Sequence, residues 1–288
     1  MTADLTHRYG PWAVVAGASD GLGAAWARAM AQRGISVVLV ARRKEMLDAL
    51  ADEIRAGTGV QARVLPVDLA AEGAAAEIAR ETADIEVGML MYCAGADPRY
   101  ARFLDSPSSF ATSLVQRNCV VPVQLCHHFA APMAARGRGA IVVVGSAAGL
   151  VGAAHMVAYG ASKAFDMVLA EGLWAELHPA GVDVLGAILG ATDTPALRRL
   201  LADRGVLASP DDPSPIPGAL TAEEAVDEII AALPDGGPTH FVGERTRLGA
   251  AHLAGMSRGD AVRFMASVSG GTMQGGSDRQ GGSDPSLT

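Results

Sequence analysis

Lysine is nearly absent from this chain. Of 288 residues, 23 are Lys or Arg, and only Lys44 and Lys163 are lysine. Arginine is therefore the default cation, and a lysine, with a compact ammonium on a flexible stem, is not interchangeable with it. Aromatic residues make up only 5% although half the chain is hydrophobic, which leaves a substantial and mainly aliphatic core. A formal net charge of −8 provides no broad basic field, which argues against nucleic acid as the partner. Cys93, Cys119 and Cys126 form an odd set in apolar surroundings with no CxxC spacing. They read as small buried hydrophobes of a reducing compartment rather than a disulfide or metal set. His127 and His128 fall mid-helix without ligand partners, so no metal is expected. Apolar runs such as Ile141–Val144 are too short to span a membrane. Met1 to Pro11 lacks the pattern of a signal peptide, so a cytoplasmic protein is expected.

What is present is an alternation. Short β-branched runs at Trp12–Ala16, Ser36–Ala41, Ala62–Val67, Gly88–Ala94, Ala140–Gly145, Asp183–Leu189 and Thr239–Val242 predict seven strands. Ala-rich stretches near Leu22–Arg33, Lys44–Ala56, Ala70–Thr82, Phe110–Ala135, Val157–Leu177 and Ala222–Leu233 predict six helices between them. The pattern fits one α/β, doubly wound domain over residues 1–267, with a seven-stranded, mostly parallel sheet and helices on both faces. In such sheets ligands bind at the carboxyl ends of the strands. Two segments break the rhythm. Residues 194–221 hold five prolines (Pro195, Pro210, Pro213, Pro215 and Pro217) and read as a loop forming a substrate lid. The Gly- and Ser-rich tail, 268–288, repeats QGGSD at 274–278 and 280–284 and is expected to be disordered.

The first predicted strand runs into Gly17-Ala18-Ser19-Asp20-Gly21-Leu22-Gly23, and a helix follows. Glycines there permit a tight turn and let the backbone, with the helix N-terminus behind it, approach a pyrophosphate. A Gly-rich turn alone is weak evidence, but this one sits where a phosphate loop belongs. After strand two the chain reads Arg42-Arg43-Lys44, with no acid until Glu45. A guanidinium can fork onto a 2′-phosphate, whereas an NAD site places a carboxylate there, so NADP(H) is the expected dinucleotide. Asp68, before Leu69, could accept from an adenine amino group or cap the next helix. Tyr159 and Lys163 stand four residues apart, on one face of a helix. The ammonium favours the phenolate, so the pair could do proton chemistry, or it could be a helix-surface pair.

Gly17-x-x-x-Gly21-x-Gly23, Asp68, Asn118, Ser146 and Tyr159-x-x-x-Lys163 together resemble the short-chain dehydrogenase/reductase family over about residues 10–245, with Ser146 lying 13 residues before Tyr159. A closer likeness is to bacterial hydroxysteroid dehydrogenases of the 7β type. It rests on Tyr9-Gly10-Pro11-Trp12, Ala41-Arg42-Arg43-Lys44, Arg138-Gly139-Ala140 and Asp260-Ala261-Val262-Arg263-Phe264-Met265. The family resemblance implies a Rossmann-type fold and reversible hydride transfer between NADPH and a ketone or secondary alcohol of a hydrophobic substrate, steroids being one candidate class. It implies Tyr159 as general acid or base, Lys163 on the nicotinamide ribose, Ser146 on the substrate oxygen, and Asn118 placing a water linked to Lys163. Cofactor contacts are implied for Gly17, Ser19, Asp20, Gly21, Leu22, Gly23, Arg42, Arg43, Asp68, Leu69, Ala94, Gly95, Tyr159, Lys163, Thr192 and Thr194. Two departures stand out. The family's Asn-Asn-Ala-Gly is Tyr92-Cys93-Ala94-Gly95 here, and its Pro-Gly is Leu189-Gly190.

Leu150, Val151, His155, Met156, Val157 and Leu189 would line an apolar pocket. Each could equally be core packing, or for His155 an ordinary loop residue. Apolar helices around Phe110–Ala135 and Val157–Leu177 pair subunits in the family, so a homodimer or homotetramer is implied. A catalytically silent NADP-binding sensor remains the alternative class. The intact Asn118, Ser146, Tyr159 and Lys163 set argues against it. A nucleotide-sugar epimerase would want GxxGxxG spacing and a longer C-terminal half.

Overall fold

The computed structural model describes residues 2–96, 99–234 and 237–273. Its strands are β1 (Trp12–Ala16), β2 (Ser36–Val40), β3 (Ala62–Leu65), β4 (Val87–Tyr92), β5 (Gly139–Ser146), β6 (Val182–Leu189), β7 (Thr192–Asp193), β8 (Leu220–Thr221) and β9 (Thr239–Val242). Seven of them form one parallel sheet in the order β3-β2-β1-β4-β5-β6-β9, while β7 pairs with β8. The helices are α1 (Thr2–Tyr9), α2 (Gly21–Gln32), α3 (Lys44–Thr58), α4 (Ala74–Glu81), α5 (Ser108–Val115), α6 (Val121–Arg136), α7 (Val157–Leu177), α8 (Pro195–Asp203), α9 (Ala222–Ala232), α10 (Glu244–Ala254) and α11 (Arg258–Met273). Among the described residues, no helix is long and apolar enough to cross a membrane.

Strand side chains alternate between two aliphatic cores. Ala13, Val15, Val37, Leu39, Met91 and Val142 pack with α2, α3 and α9. Val14, Ala16, Val38, Val40, Leu90 and Val143 pack with α4 and α6 on the other face. Burial on both faces is why these strands read as continuous apolar runs in the sequence. From β1 the chain winds outward to β2 and β3, then returns to β4 on the other side. The strand order therefore reverses between β1 and β4, and a ligand cleft is expected at their carboxyl ends.

The opposite end of the sheet is closed by α1, which the sequence reading left out. Tyr9 is fully buried, and its hydroxyl donates to Asp183 Oδ2 at 2.8 Å, where Arg8 also pairs at 2.8 Å. The motif at residues 9–12 therefore ties α1 to the start of β6. Its polar composition hid this element: among residues 5–9 of the helix only Tyr9 is buried.

Three expectations need correcting. The predicted helix over residues 110–135 is broken by a widened turn at Gln116–Val120. Pro122 has no N–H to give the carbonyl of Asn118 four residues back, and its ring crowds that carbonyl. The segment 194–221 is not all loop, because it opens with α8. Thr194 caps that helix, its hydroxyl accepting from Leu197 N at 3.3 Å, and Pro195 takes the first helical position, where a missing N–H costs nothing. The tail is helical at its start, since α11 runs to Met273. Ser257 accepts from the Asp260 N–H at 3.2 Å, and a helix once nucleated extends readily. Residues 274–288 lie outside the described residues. Helix α10 was also not expected; it buries none of its side chains, so it leaves no apolar stripe to read.

Candidate active site

A cleft of about 820 Å³ opens at the carboxyl ends of β1, β4, β5 and β6. Its floor at β1 is the glycine turn. Gly17 N and Ala18 N both donate to Val40 O, at 2.8 and 3.1 Å, which locks the turn against β2. Gly17 has φ +102°, a conformation that side chains resist. A Cβ on Gly23 would lie 2.2 Å from Gly17 O, so α2 packs directly on the turn and presents its N-terminus to the cleft. That bare backbone cradle could hold a pyrophosphate.

Around the cradle, Asp20 accepts from Arg43 at 2.7 Å and from Arg199 of α8 at 3.2 Å. Arg43 also donates to Ser19 Oγ at 2.6 Å. Arg42 lines the cleft and, among the described residues, makes no hydrogen bond or ion pair. Leu22, Leu69, Ala94 and Gly95 line the cleft as well. Asp68 lines it too, and its carboxylate accepts from Ala70 N at 3.0 Å, so it caps the following turn. Cys93 stands where the family's second Asn would be. Its thiol donates to Ala16 O at 3.2 Å, so it keeps a weaker tie between β4 and β1.

The chemical groups gather on β5 and α7. Ser146 ends β5, faces the cleft, and accepts from Ala148 N at 3.2 Å. Tyr159 lies in the first turn of α7 and also lines the cleft, half-buried. One turn on, Lys163 is 4% exposed and donates to Val144 O at 2.8 Å and Asp166 Oδ2 at 2.9 Å. Burial works against its charge, but the Asp166 carboxylate and the Tyr159 phenol outweigh it and hold the amine above its ordinary range. Asp166 escaped the sequence reading. Its signal was an acid three residues beyond Lys163, on the same stripe of an otherwise apolar helix. Asn118 sits fully buried in the widened turn, behind the cleft wall. Its amide donates to Gly95 O at 3.2 Å and Ser162 Oγ at 2.8 Å, and Ser162 in turn donates to Tyr159 O at 2.8 Å. The side chain thereby braces the first turn of α7 against the loop after β4.

The expected substrate residues divide. Met156 and Leu189 line the cleft, as do Thr192 and Thr194. His155 lies instead in an adjoining cavity of about 170 Å³, at φ +65°, stacked 5.5 Å from the Tyr100 ring. Leu150 and Val151 do not line the cleft; the Leu150 carbonyl accepts from Arg258 at 2.8 Å. Val157 is half exposed in that adjoining cavity. Leu197 and Leu200 of α8 close one side of the main cleft. Beyond the end of α8, Arg204 donates to Tyr100 O at 3.0 Å and stacks 4.5 Å above its ring, joining the segment after α8 to the loop after β4. Among the described residues no group of His, Cys, Asp or Glu could hold a metal ion.

Comparison with known proteins follows the same lines. A family model described as short chain dehydrogenase matches residues 11–205. The 7beta-hydroxysteroid dehydrogenase of Collinsella aerofaciens is 34% identical over 230 residues, 80% of this chain and 85% of that protein. A solved structure of a 7beta-hydroxysteroid dehydrogenase superposes with a TM-score of 0.81 at 31% identity, covering 91% of this chain and 98% of that one. A short-chain dehydrogenase from Sphingobium yanoikuyae, solved in complex with NADPH, gives a TM-score of 0.71 at 30% identity over 85% of this chain and 93% of that one.

Burial pushes the Cys93 and Cys126 thiols up to about 12 and Cys119 to about 11. At pH 8 an ordinary thiol is roughly a quarter thiolate, and these are about 0.1% or less. Alkylation by iodoacetamide at pH 8 should be at least about 100-fold slower in the native protein than in urea. Equal rates would show that the cysteines are not held as described.

Proposed function

The chain belongs to the short-chain dehydrogenase family and is an NAD(P)-dependent oxidoreductase acting on CH–OH groups, and from that premise we propose that it moves hydride between NADPH and a ketone or secondary alcohol of a hydrophobic, steroid-like substrate. The observation that carries this reading is the meeting of Ser146, Tyr159 and Lys163 at one cleft with a glycine cradle. The dinucleotide would supply the hydride when bound. The protein has to supply a positioned proton and charge stabilisation at the oxygen.

Tyr159 gives its hydroxyl proton to the carbonyl oxygen in reduction and takes it back in oxidation. Ser146 donates to the same oxygen and orients it. Lys163 keeps a positive charge one helical turn from the phenol, which favours the phenolate left after transfer. It also has an N–H available for the nicotinamide ribose. Asn118 holds the turn that carries Tyr159. Gly17, Gly21, Gly23 and the N-terminus of α2 would hold the pyrophosphate, with Ser19, Asp20 and Leu22 around it. Thr192 and Thr194 would meet the nicotinamide side, and Ala94, Gly95, Asp68 and Leu69 the adenosine side. NADP(H) is favoured by Arg42, whose guanidinium is at the cleft and uncommitted, with Arg43 beside it. Support for a steroid-like substrate comes from the 7beta-hydroxysteroid dehydrogenase relatives and from the apolar wall of Met156, Leu189, Leu197 and Leu200.

The same reading makes the protein a cytoplasmic homodimer or homotetramer. Val115, Val120, Val123, Phe165 and Val168 leave an exposed apolar surface on α5, the widened turn, α6 and α7. Such a surface suits burial against a second copy.

Tyr159→Phe should cut turnover by about 10²–10⁴-fold or more while NADPH binding, followed by its fluorescence, survives. Near-normal turnover would remove Tyr159 from the mechanism. Arg42→Ala should raise KM for NADPH about 10-fold or more and leave that for NADH nearly unchanged, since a charge-assisted contact is lost only with the 2′-phosphate. An unaltered preference between the two would contradict the NADP(H) reading.

A further inference from the structure

We infer that Asp166 is a positioning residue for Lys163, gripping the ammonium from outside the cleft and holding it charged one turn from Tyr159. The inference rests on the proton-transfer roles proposed above. Tyr159, Lys163 and Asp166 stand at i, i+4 and i+7 of α7, one stripe of the helix. Asp166 is 1% exposed and Lys163 is 4% exposed, so neither charge is shared with solvent. An ammonium has three N–H groups. Two are taken by Val144 O and Asp166 Oδ2, which leaves one for a ligand in the cleft that Lys163 lines and Asp166 does not.

The carboxylate's surroundings narrow its role. Its Oδ1 has no hydrogen-bond partner among the described residues, so Lys163 is the group it serves. Tyr92 at the end of β4, Cys93 just after it, Cys119 in the widened turn and Cys126 on α6 also face the pair. Burial raises all four above their ordinary ranges, so they stay neutral at working pH. Arg117, which also acts on Tyr92, turns its own donors to Ala96 O and Asn118 Oδ1. Lys163 and Asp166 are thus the facing charges: burial works against the ammonium but Asp166 outweighs it, whereas at Asp166 burial outweighs Lys163 and raises the carboxyl above its ordinary range. With the backbone carbonyl alone, a buried ammonium would shed its proton, because desolvation favours the neutral amine. The nearer effect decides the sign. Asp166 touches Lys163 directly but lies seven residues from Tyr159, so its first consequence is to keep Lys163 charged.

With only Lys44 and Lys163 to label, 15N-lysine NMR of the full chain loaded with NADP+ reports the Lys163 amine directly. Lys163→Arg assigns the signal. The wild type should keep an ammonium signal for Lys163 beyond pH 10. Asp166→Asn should lower its midpoint by about 2 pH units, and Asp166→Glu should restore it. In oxidation of a 7β-hydroxysteroid with NADP+, D166N should lose kcat as pH rises through that lowered midpoint, while D166E stays level. A purely structural role would lower stability or kcat evenly with pH and leave the midpoint in place. An unmoved midpoint in D166N overturns the inference and leaves the proposed function standing. A lowered midpoint with an unchanged pH profile speaks instead against Lys163 in the reaction, and so against the proposed function. If D166N does not fold, Asp166→Ser removes the same charge and carries the same test. A wild-type Lys163 already neutral at pH 9 overturns the inference without any variant.

Discussion

A full positive charge withdrawn from water has to be met on every side by groups that suit it. Lys163 is such a charge, and its two protein partners come from different elements: a β5 carbonyl at Val144 and an α7 carboxylate at Asp166. Satisfying it fixes how α7 lies on β5. The short turn after β5 packs hard on the same place, where a Cβ on Gly149 would sit 2.5 Å from Lys163 C. Ser146 immediately precedes that turn, and Tyr159 is one helical turn before Lys163. The relative positions of hydroxyl, phenol and ammonium therefore follow from a single close contact between a strand end and a helix. Removing one member of such a buried pair typically costs about 3–5 kcal/mol, because it strands the other.

The rest of the cleft is built by similar close approaches at the strand ends. Where β1 turns into α2, backbone meets backbone without room for a side chain at Gly23. Asn118 joins the loop after β4 to the start of α7 through Gly95 and Ser162, which fixes that loop and the helix against each other. The segment after β7 is attached differently. Arg199 reaches Asp20 through a partly exposed ion pair, whereas Arg204 reaches the carbonyl and ring of the buried Tyr100. An exposed ion pair of the first kind is worth little.

The sequence conveyed this architecture unevenly, for physical reasons. Strands buried on both faces leave continuous apolar runs, so β1 was placed to the residue and β2 to β6 within a few positions; β9, an edge strand, was also placed to the residue, while the two-residue β7 and β8 were not predicted. Helix α7 was bounded correctly, because apolar residues recur along its whole length. Polar or exposed helices such as α1 and α10 leave no stripe and were not seen. The helix α8 was hidden by a reading of proline as a breaker, when Thr194-Pro195 is a helix start. At the site, the glycine cradle, Ser146, Tyr159 and Lys163 were legible because their spacing is local. Spacing left open whether His155 contacts substrate or is an ordinary loop residue; at φ +65° it lies in the neighbouring cavity, a placement that spacing does not convey. Asp166 was overlooked, since an acid in a helix reads as surface until the fold buries it.

The central claim is that Ser146 and Tyr159 converge on one substrate oxygen while Lys163 remains gripped behind them. A crystal structure with NADP+ and a 7β-hydroxysteroid bound tests it most directly. The account predicts the alcohol oxygen within about 3.2 Å of both Ser146 Oγ and Tyr159 Oη, with Lys163 still on Asp166. A reactive hydroxyl held by other side chains, with Tyr159 pointing away from it, would contradict the account.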